Sequence, residues 1–101
     1  MSFEKYLIED RRLIVLRALN KETDRRLNEA LLSRYLESLG HRIARHTVRE
    51  TLDWLTEVRA IKIEKFGESE VYIAELLERG EDHVAGRTVI NGVARPSARS
   101  D

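Results

Sequence analysis

The feature that most constrains this chain is a change of hydrophobic period at Arg59. Before it, apolar residues recur at three- and four-residue steps. After it, IKIEKF alternates apolar and charged residues, GESE supplies a turn, and VYIAEL resumes a short extended pattern. Steps of three and four put side chains on one face of a helix, whereas strict alternation puts them on the two faces of a strand. The segment therefore predicts a β-hairpin, with Ile61, Ile63, Val71 and Ile73 turned inward and Lys62, Lys65 and the GESE tip in water. Two strands are not stable alone, so the hairpin must pack against the helices that precede it.

Three helices are expected there. The first runs from Ser2 to Asn20 without glycine or proline, with Ser2 placed to accept free backbone amides. Phe3, Leu7, Ile14 and Ala18 form a stripe, but Tyr6, Leu13, Leu16 and Leu19 spread apolar surface around the later turns. Such a helix is either central to its own domain or shared with a second protomer; Phe3, Tyr6, Leu13 and Leu16 are the interface candidates under the second reading. In LNEALLSRYLESLG, Leu27, Leu31, Leu32, Tyr35, Leu36 and Leu39 give a second helix, with Asn28 as a cap candidate, Thr23 or Asp24 as alternatives that would start an earlier turn, and Gly40 placed to stop it. The third, over residues 44–58, has Ala44, Val48, Thr51, Leu55 and Val58 on one face and His46, Arg49, Glu50, Asp53 and Glu57 toward the other.

Two amphipathic helices joined by the short GHRI connection form a helix-turn-helix pattern, in which the second helix can face nucleic acid. A further helix is expected over residues 75–85, interrupted at Gly80. The sequence thus predicts a mainly α fold with a small β-hairpin, a winged helix-turn-helix over residues 1–90, followed by a flexible C-terminal tail over 91–101.

Composition narrows the chemistry. The chain has 101 residues, no cysteine, and 18 basic against 18 acidic side chains. One domain is expected. Absence of cysteine excludes a disulfide scaffold and a cysteine-rich metal site. No stretch approaches the ~20 apolar residues that cross a bilayer, so a soluble, cytoplasmic protein without a membrane partner is expected. Zero net charge opposes nucleic-acid binding by the molecule as a whole. The distribution is uneven, however: residues 41–49 hold Arg42, Arg45 and Arg49 with no acid, while residues 75–86 hold Glu75, Glu78, Glu81 and Asp82 against Arg79.

The basic run falls at the start of the third helix. Arg45 and Arg49 can meet phosphate or present two-pronged donors to guanine, and Arg42 suits the DNA backbone. His46 can donate to a base edge or phosphate, or lie simply solvated. Glu50 can accept from cytosine N4 or pair with an arginine, and Asp53 belongs to the protein surface. Lys65 is either a DNA contact or an edge-strand solubility residue, within a hairpin that Glu64, Glu68 and Glu70 make acidic. Trp54 borders the apolar face of its helix and serves either the core or a protein interface.

No enzyme is expected. His41, His46 and His83 make no metal-ligand spacing, no nucleophile sits in a triad pattern, and Gly67, Gly80, Gly86 and Gly92 form no phosphate loop. No metal or other cofactor is called for.

The stretch LLSRYLESLGHRIARHTVRETLDWLTEVRAIKIEK followed by GESEVYIAELLERGEDHVAG resembles the helix-turn-helix and wing of ArsR- and MarR-type transcriptional regulators. The ending HVAGRTVINGVARPSARS resembles small winged-helix proteins of Mu-like phages and prophages. The broader resemblance implies sequence-specific binding of double-stranded DNA by a homodimer, with the 44–58 helix in the major groove and Arg45, His46, Arg49 and Glu50 reading it. The cysteines with which many ArsR relatives sense metals are absent, so metal response is not implied. The phage resemblance leaves a second role open, a protein-interaction or structural accessory factor that binds a phage-encoded partner without strong DNA affinity.

Overall fold

The computed structural model describes residues 2–96. Its elements are α1 (Phe3–Lys21), β1 (Arg26–Asn28), α2 (Glu29–Ser38), α3 (Arg45–Glu57), β2 (Ile61–Phe66), β3 (Val71–Leu76) and α4 (Glu78–Val84). The fold is mostly helical, with one three-stranded antiparallel sheet in the order β1–β3–β2.

Helix α1 begins where the Ser2 hydroxyl accepts the Glu4 amide at 3.0 Å. Its second half is buried nearly all round: Leu13, Ile14, Val15, Leu16, Ala18 and Leu19 all lie in the core. That resolves the crowded apolar circumference in favour of a central helix. It also corrects two interface assignments, because Leu13 and Leu16 are enclosed by their own chain and have no surface to offer a partner. Leu16, Leu19, Leu32, Leu36, Leu52 and Leu55 are fully buried, each contributing about 1.5–3 kcal/mol relative to exposure.

Strand β1 follows a polar turn that Arg25 enters with φ +61°. It pairs through Arg26↔Glu75, Leu27↔Ala74 and Asn28↔Ile73. Leu27, expected on a helix, is thus a strand residue packed against the core. Asn28 then caps α2, its side-chain oxygen accepting the Leu31 amide at 2.9 Å. Gly40, at φ +96°, makes the turn toward α3.

The hairpin forms as expected over 61–76, but the parity of its second strand differs. Ile61 and Ile63 pair with Leu76 and Ala74, so Tyr72, Ala74 and Leu76 form the inward set and Val71 and Ile73 take the other parity. VYIAEL carries apolar residues in both parities, and the cross-strand partners decide which set is buried. Helix α4 starts at Glu78 because residues 75–76 belong to β3, and it continues through Gly80. Glycine is required there: a Cβ would lie 2.4 Å from the Ala60 carbonyl oxygen.

The chain then returns along α1. Ile90 and Val93 are buried, and the Ala94 amide donates to the Glu9 carbonyl at 3.1 Å. His83, fully buried, fixes this return: its Nδ1 accepts from the Ile90 amide at 3.0 Å and its Nε2 donates to the Ala94 carbonyl at 2.8 Å. An amide can only donate and a carbonyl only accept, so the ring is neutral with its proton on Nε2. Gly92, at φ +97°, lies where a Cβ would meet the Trp54 ring at 2.6 Å. Gly92, Val93 and Ala94 of the segment expected as a tail are therefore packed, and residues 97–101 lie outside those described.

Candidate nucleic-acid interface

Basic residues gather at the N-terminal half of α3, with Arg45 and Arg49 on the helix and Arg42 in the turn before it. This helix starts at Arg45, with Ala44 at the N-cap supplying no side-chain bond, and buries Val48, Thr51, Leu52 and Leu55. Burial of that face directs Arg45, His46 and Glu50 outward, and all three are exposed. Arg42, in the turn before α3, is 87% exposed and its Nε donates to Glu37 at 3.2 Å. Asp53 and Glu57 are exposed farther along, so the helix is basic toward its start and acidic toward its end.

Beneath the basic half sits Glu29, the first residue of α2, only 5% exposed. Its Oε1 accepts from Arg49 Nε at 2.8 Å and Arg45 Nε at 3.3 Å. Its Oε2 accepts from Arg49 Nη2 at 2.8 Å, Arg45 Nη2 at 3.5 Å and the Tyr72 amide at 2.8 Å. The Arg49 hydrogen bonds draw the Glu29 carboxyl down from 4.5 to about 2 against the opposing effect of burial, with the Tyr72 amide and Arg45 helping. The same bonds raise the Arg49 guanidinium above its ordinary value. Glu29 therefore remains a carboxylate under all ordinary conditions, and one negative charge underlies two positive ones.

The two arginines are held differently. Arg49 is 28% exposed, stacks 4.4 Å from the Tyr72 ring centroid and donates to the Glu70 carbonyl at 3.2 Å. It ties α3 to α2 and to the hairpin. Arg45 is 65% exposed and meets only Glu29 among the bonds described, at distances near the outer limit. Beside it, a cleft of about 420 Å³ opens between Ser33 and Arg34 of α2, Arg45 and Val48 of α3, and Val71.

The remaining sequence candidates are dispersed. The Lys65 ammonium lies 5.4 Å from the Tyr72 ring centroid on an exposed strand end. Phe3 and Tyr6 are exposed on the first turns of α1, with Phe3 at 72% and Leu7 beside them. Trp54 is half-buried against the core, with the Arg12 guanidinium 3.7 Å from its ring centroid and Gly92 against its edge. Arg12 also donates to the Gly92 carbonyl at 2.8 Å, so the described contacts of Trp54 are made within the chain. Among the described residues no group of three or more His, Cys, Asp or Glu is arranged to hold a metal ion, and no helix is long and apolar enough to cross a membrane.

Sequence reasoning missed Glu29 and Tyr72. An acid at a helix start is ordinary, because it complements the helix dipole, and that reading hid the structural role of Glu29. A signal was present nonetheless: Arg45 and Arg49 are one helical turn apart on a half-buried helix, and two adjacent guanidinium groups call for a counter-charge.

These features define a small helical domain with an antiparallel sheet and a helix of polarised charge. Over 94 residues, 93% of this chain and 95% of the other, the sequence is 37% identical to the uncharacterized protein gp26 of Escherichia phage Mu. The chain belongs to the gp26 family. It is also 40% identical over 65 residues, 64% of this chain and 63% of the other, to an uncharacterized protein of Haemophilus influenzae. No protein-family model matches the chain.

Proposed function

We propose that this protein is a winged helix-turn-helix factor that binds double-stranded DNA as a homodimer in the cytoplasm and regulates transcription, with α3 as its reading helix and no catalytic activity. The carrying observation is the uncovered N-terminal half of α3, where Arg45 and His46 project from a helix whose opposite face is buried. Helix-turn-helix proteins contact base edges from that part of the second helix. Support also comes from the element order, with α2 and α3 joined by a short turn and the β2–β3 hairpin following α3. Arg34, Arg42, Arg45 and Arg49 gather around the start of α3, interspersed with Glu29, Glu37 and Glu50, a local basic cluster within a chain of zero net charge.

In this reading Arg42 and Arg45 meet phosphate, His46 and Glu50 face base edges, and Lys65 can reach the backbone from the hairpin. The exposed first turns of α1, with Phe3, Tyr6 and Leu7, form the homodimer contact. Two α3 helices would then read half-sites about one helical turn apart.

The test is a salt series with the full chain and a pool of random duplexes, followed by selection. Affinity should fall roughly as the 0.9 power of salt for each phosphate neutralised, and Arg42→Ala with Arg45→Ala should flatten that dependence. No duplex binding at 50 mM salt would overturn the reading. Phe3→Ser should convert a dimer to a monomer in sedimentation velocity.

One observation favours a second reading. Glu64, Glu68 and Glu70 are exposed on the hairpin, an unfavourable charge for a wing near phosphate. A phage-encoded protein bound through the α1 apolar turns, without duplex affinity, would make this chain an accessory assembly factor instead.

A further inference from the structure

By sequence Arg45 and Arg49 are equivalent arginines one helical turn apart, but the carboxylate beneath them holds them differently. Glu29 receives five hydrogen bonds on two oxygens, three of them at 2.8 Å from Arg49 and the Tyr72 amide and two at 3.3 and 3.5 Å from Arg45. If Arg45 departs, the three short bonds still satisfy the buried carboxylate. If Arg49 departs, two of them are lost, together with the Tyr72 stack and the bond to Glu70.

We infer that Arg45 is a transferable phosphate ligand and that Glu29 is its built-in competitor, limiting how much of the α3 charge a duplex can use; this rests on the DNA-binding reading above. The long Arg45 bonds are made by a guanidinium that is 65% exposed. A phosphate oxygen offers it a charge-assisted bond near 2.7–2.9 Å, so Arg45 can change partners at small cost. Before that exchange, an approaching duplex meets the Arg45–Arg49 pair with one of its two charges already cancelled. Glu29 thereby lowers affinity for any DNA, and recognition depends more heavily on base contacts from His46 and Glu50. Arg49 stays behind as the positioning residue that fixes α3 against the hairpin.

The test compares the full-length wild type, Glu29→Gln, Arg45→Ala and the Glu29→Gln/Arg45→Ala double variant on a mixed-sequence duplex between 50 and 200 mM salt. Glu29→Gln should bind on the order of tenfold more tightly at 50 mM, and because Arg45 meets the same phosphate in both proteins its salt slope should change by less than one phosphate's share of about 0.9. That gain should vanish when Arg45 is absent. A folded Glu29→Gln protein, judged by far-UV circular dichroism and a cooperative melt, that binds no more tightly than wild type overturns the inference while leaving DNA binding intact. So does a gain that survives Arg45→Ala.

Failure of all four proteins to bind removes the DNA-binding reading and this inference with it. Should Glu29→Gln not fold, nitrogen-15 spectra of the wild type decide. On adding duplex, the Arg45 Nε–H signal should move while Arg49 Nε–H and the Tyr72 amide stay in place, and joint movement of all three overturns the division of roles.

Discussion

Glu29, whose partners lie 16, 20 and 43 residues away, and His83, whose partners lie 7 and 11 residues away, are both buried polar groups that hold segments together, and they do so in opposite ways. Glu29 is charged and gathers long, flexible guanidinium groups from α3 together with one backbone amide from β3. His83 is neutral and joins two backbone groups of the returning segment, Ile90 and Ala94. The charged centre needs strong donors to offset its desolvation, and one of those donors remains exposed enough to serve a ligand. The neutral centre needs no counter-charge and can be sealed completely. The difference separates a surface that can exchange partners from a seam that only has to stay closed.

The largest loss of stability is expected at Glu29 itself. Alanine there should destabilise the protein by about 3 kcal/mol, because it removes the charge-assisted bonds from Arg49 and leaves the Tyr72 amide without its acceptor. Urea unfolding would measure it, and a loss below about 1 kcal/mol would show that the bonds contribute little.

Acid should reproduce part of this effect without mutation. The folded-state value of Glu29 lies below its ordinary one, so its stabilisation is fully present above pH 4.5 and is lost as pH falls from 4.5 toward about 2. The difference corresponds to up to about 3 kcal/mol. Glu29→Gln should flatten the stability profile in that window, which a pH series of urea melts would reveal.

His83→Ala tests the other centre. It removes one acceptor and one donor from buried backbone groups, but the returning segment can open locally and let water replace them. A loss of about 2 kcal/mol is therefore expected, smaller than at Glu29. Hydrogen exchange should show the Ile90, Val93 and Ala94 amides opening first while the α1 and α3 core stays protected. Uniform loss of protection would mean that the seam is part of the global fold.

The two centres also differ in how legible they were. Helices α1, α2 and α3 and the hairpin follow from period and turn residues, since amphipathic spacing and an abrupt switch to alternation leave little choice of element. Strand β1 was hidden because three residues in a polar run carry no period, and Leu27 also fits the helical spacing of the segment after it. Parity in β3 was hidden because Val71, Tyr72, Ile73 and Ala74 are apolar in succession. The basic start of α3 was legible as charge. Its pairing with Glu29 was not, since the partners are 16 and 20 residues apart in sequence and meet only when α2, α3 and the hairpin close together. His83 gave no signal at all, because a lone histidine with two backbone partners leaves no pattern in sequence.

The smallest effect on stability should come from Arg45. Its bonds to Glu29 are long and its side chain is mostly exposed, so alanine should cost less than about 1 kcal/mol, as for other solvent-exposed ion pairs. Arg49→Ala should cost clearly more, because it strips the two short bonds from a buried carboxylate and the ring contact from Tyr72. The pair should be compared by urea melts under identical conditions, with Glu29→Gln as the background for a double-mutant cycle. Strong coupling of Glu29 to Arg49 and near-zero coupling to Arg45 would establish that adjacent arginines on one helix face have been divided between folding and surface. Equal coupling would place both in the structural knot and leave His46, Glu50 and Arg42 as the groups available to a ligand.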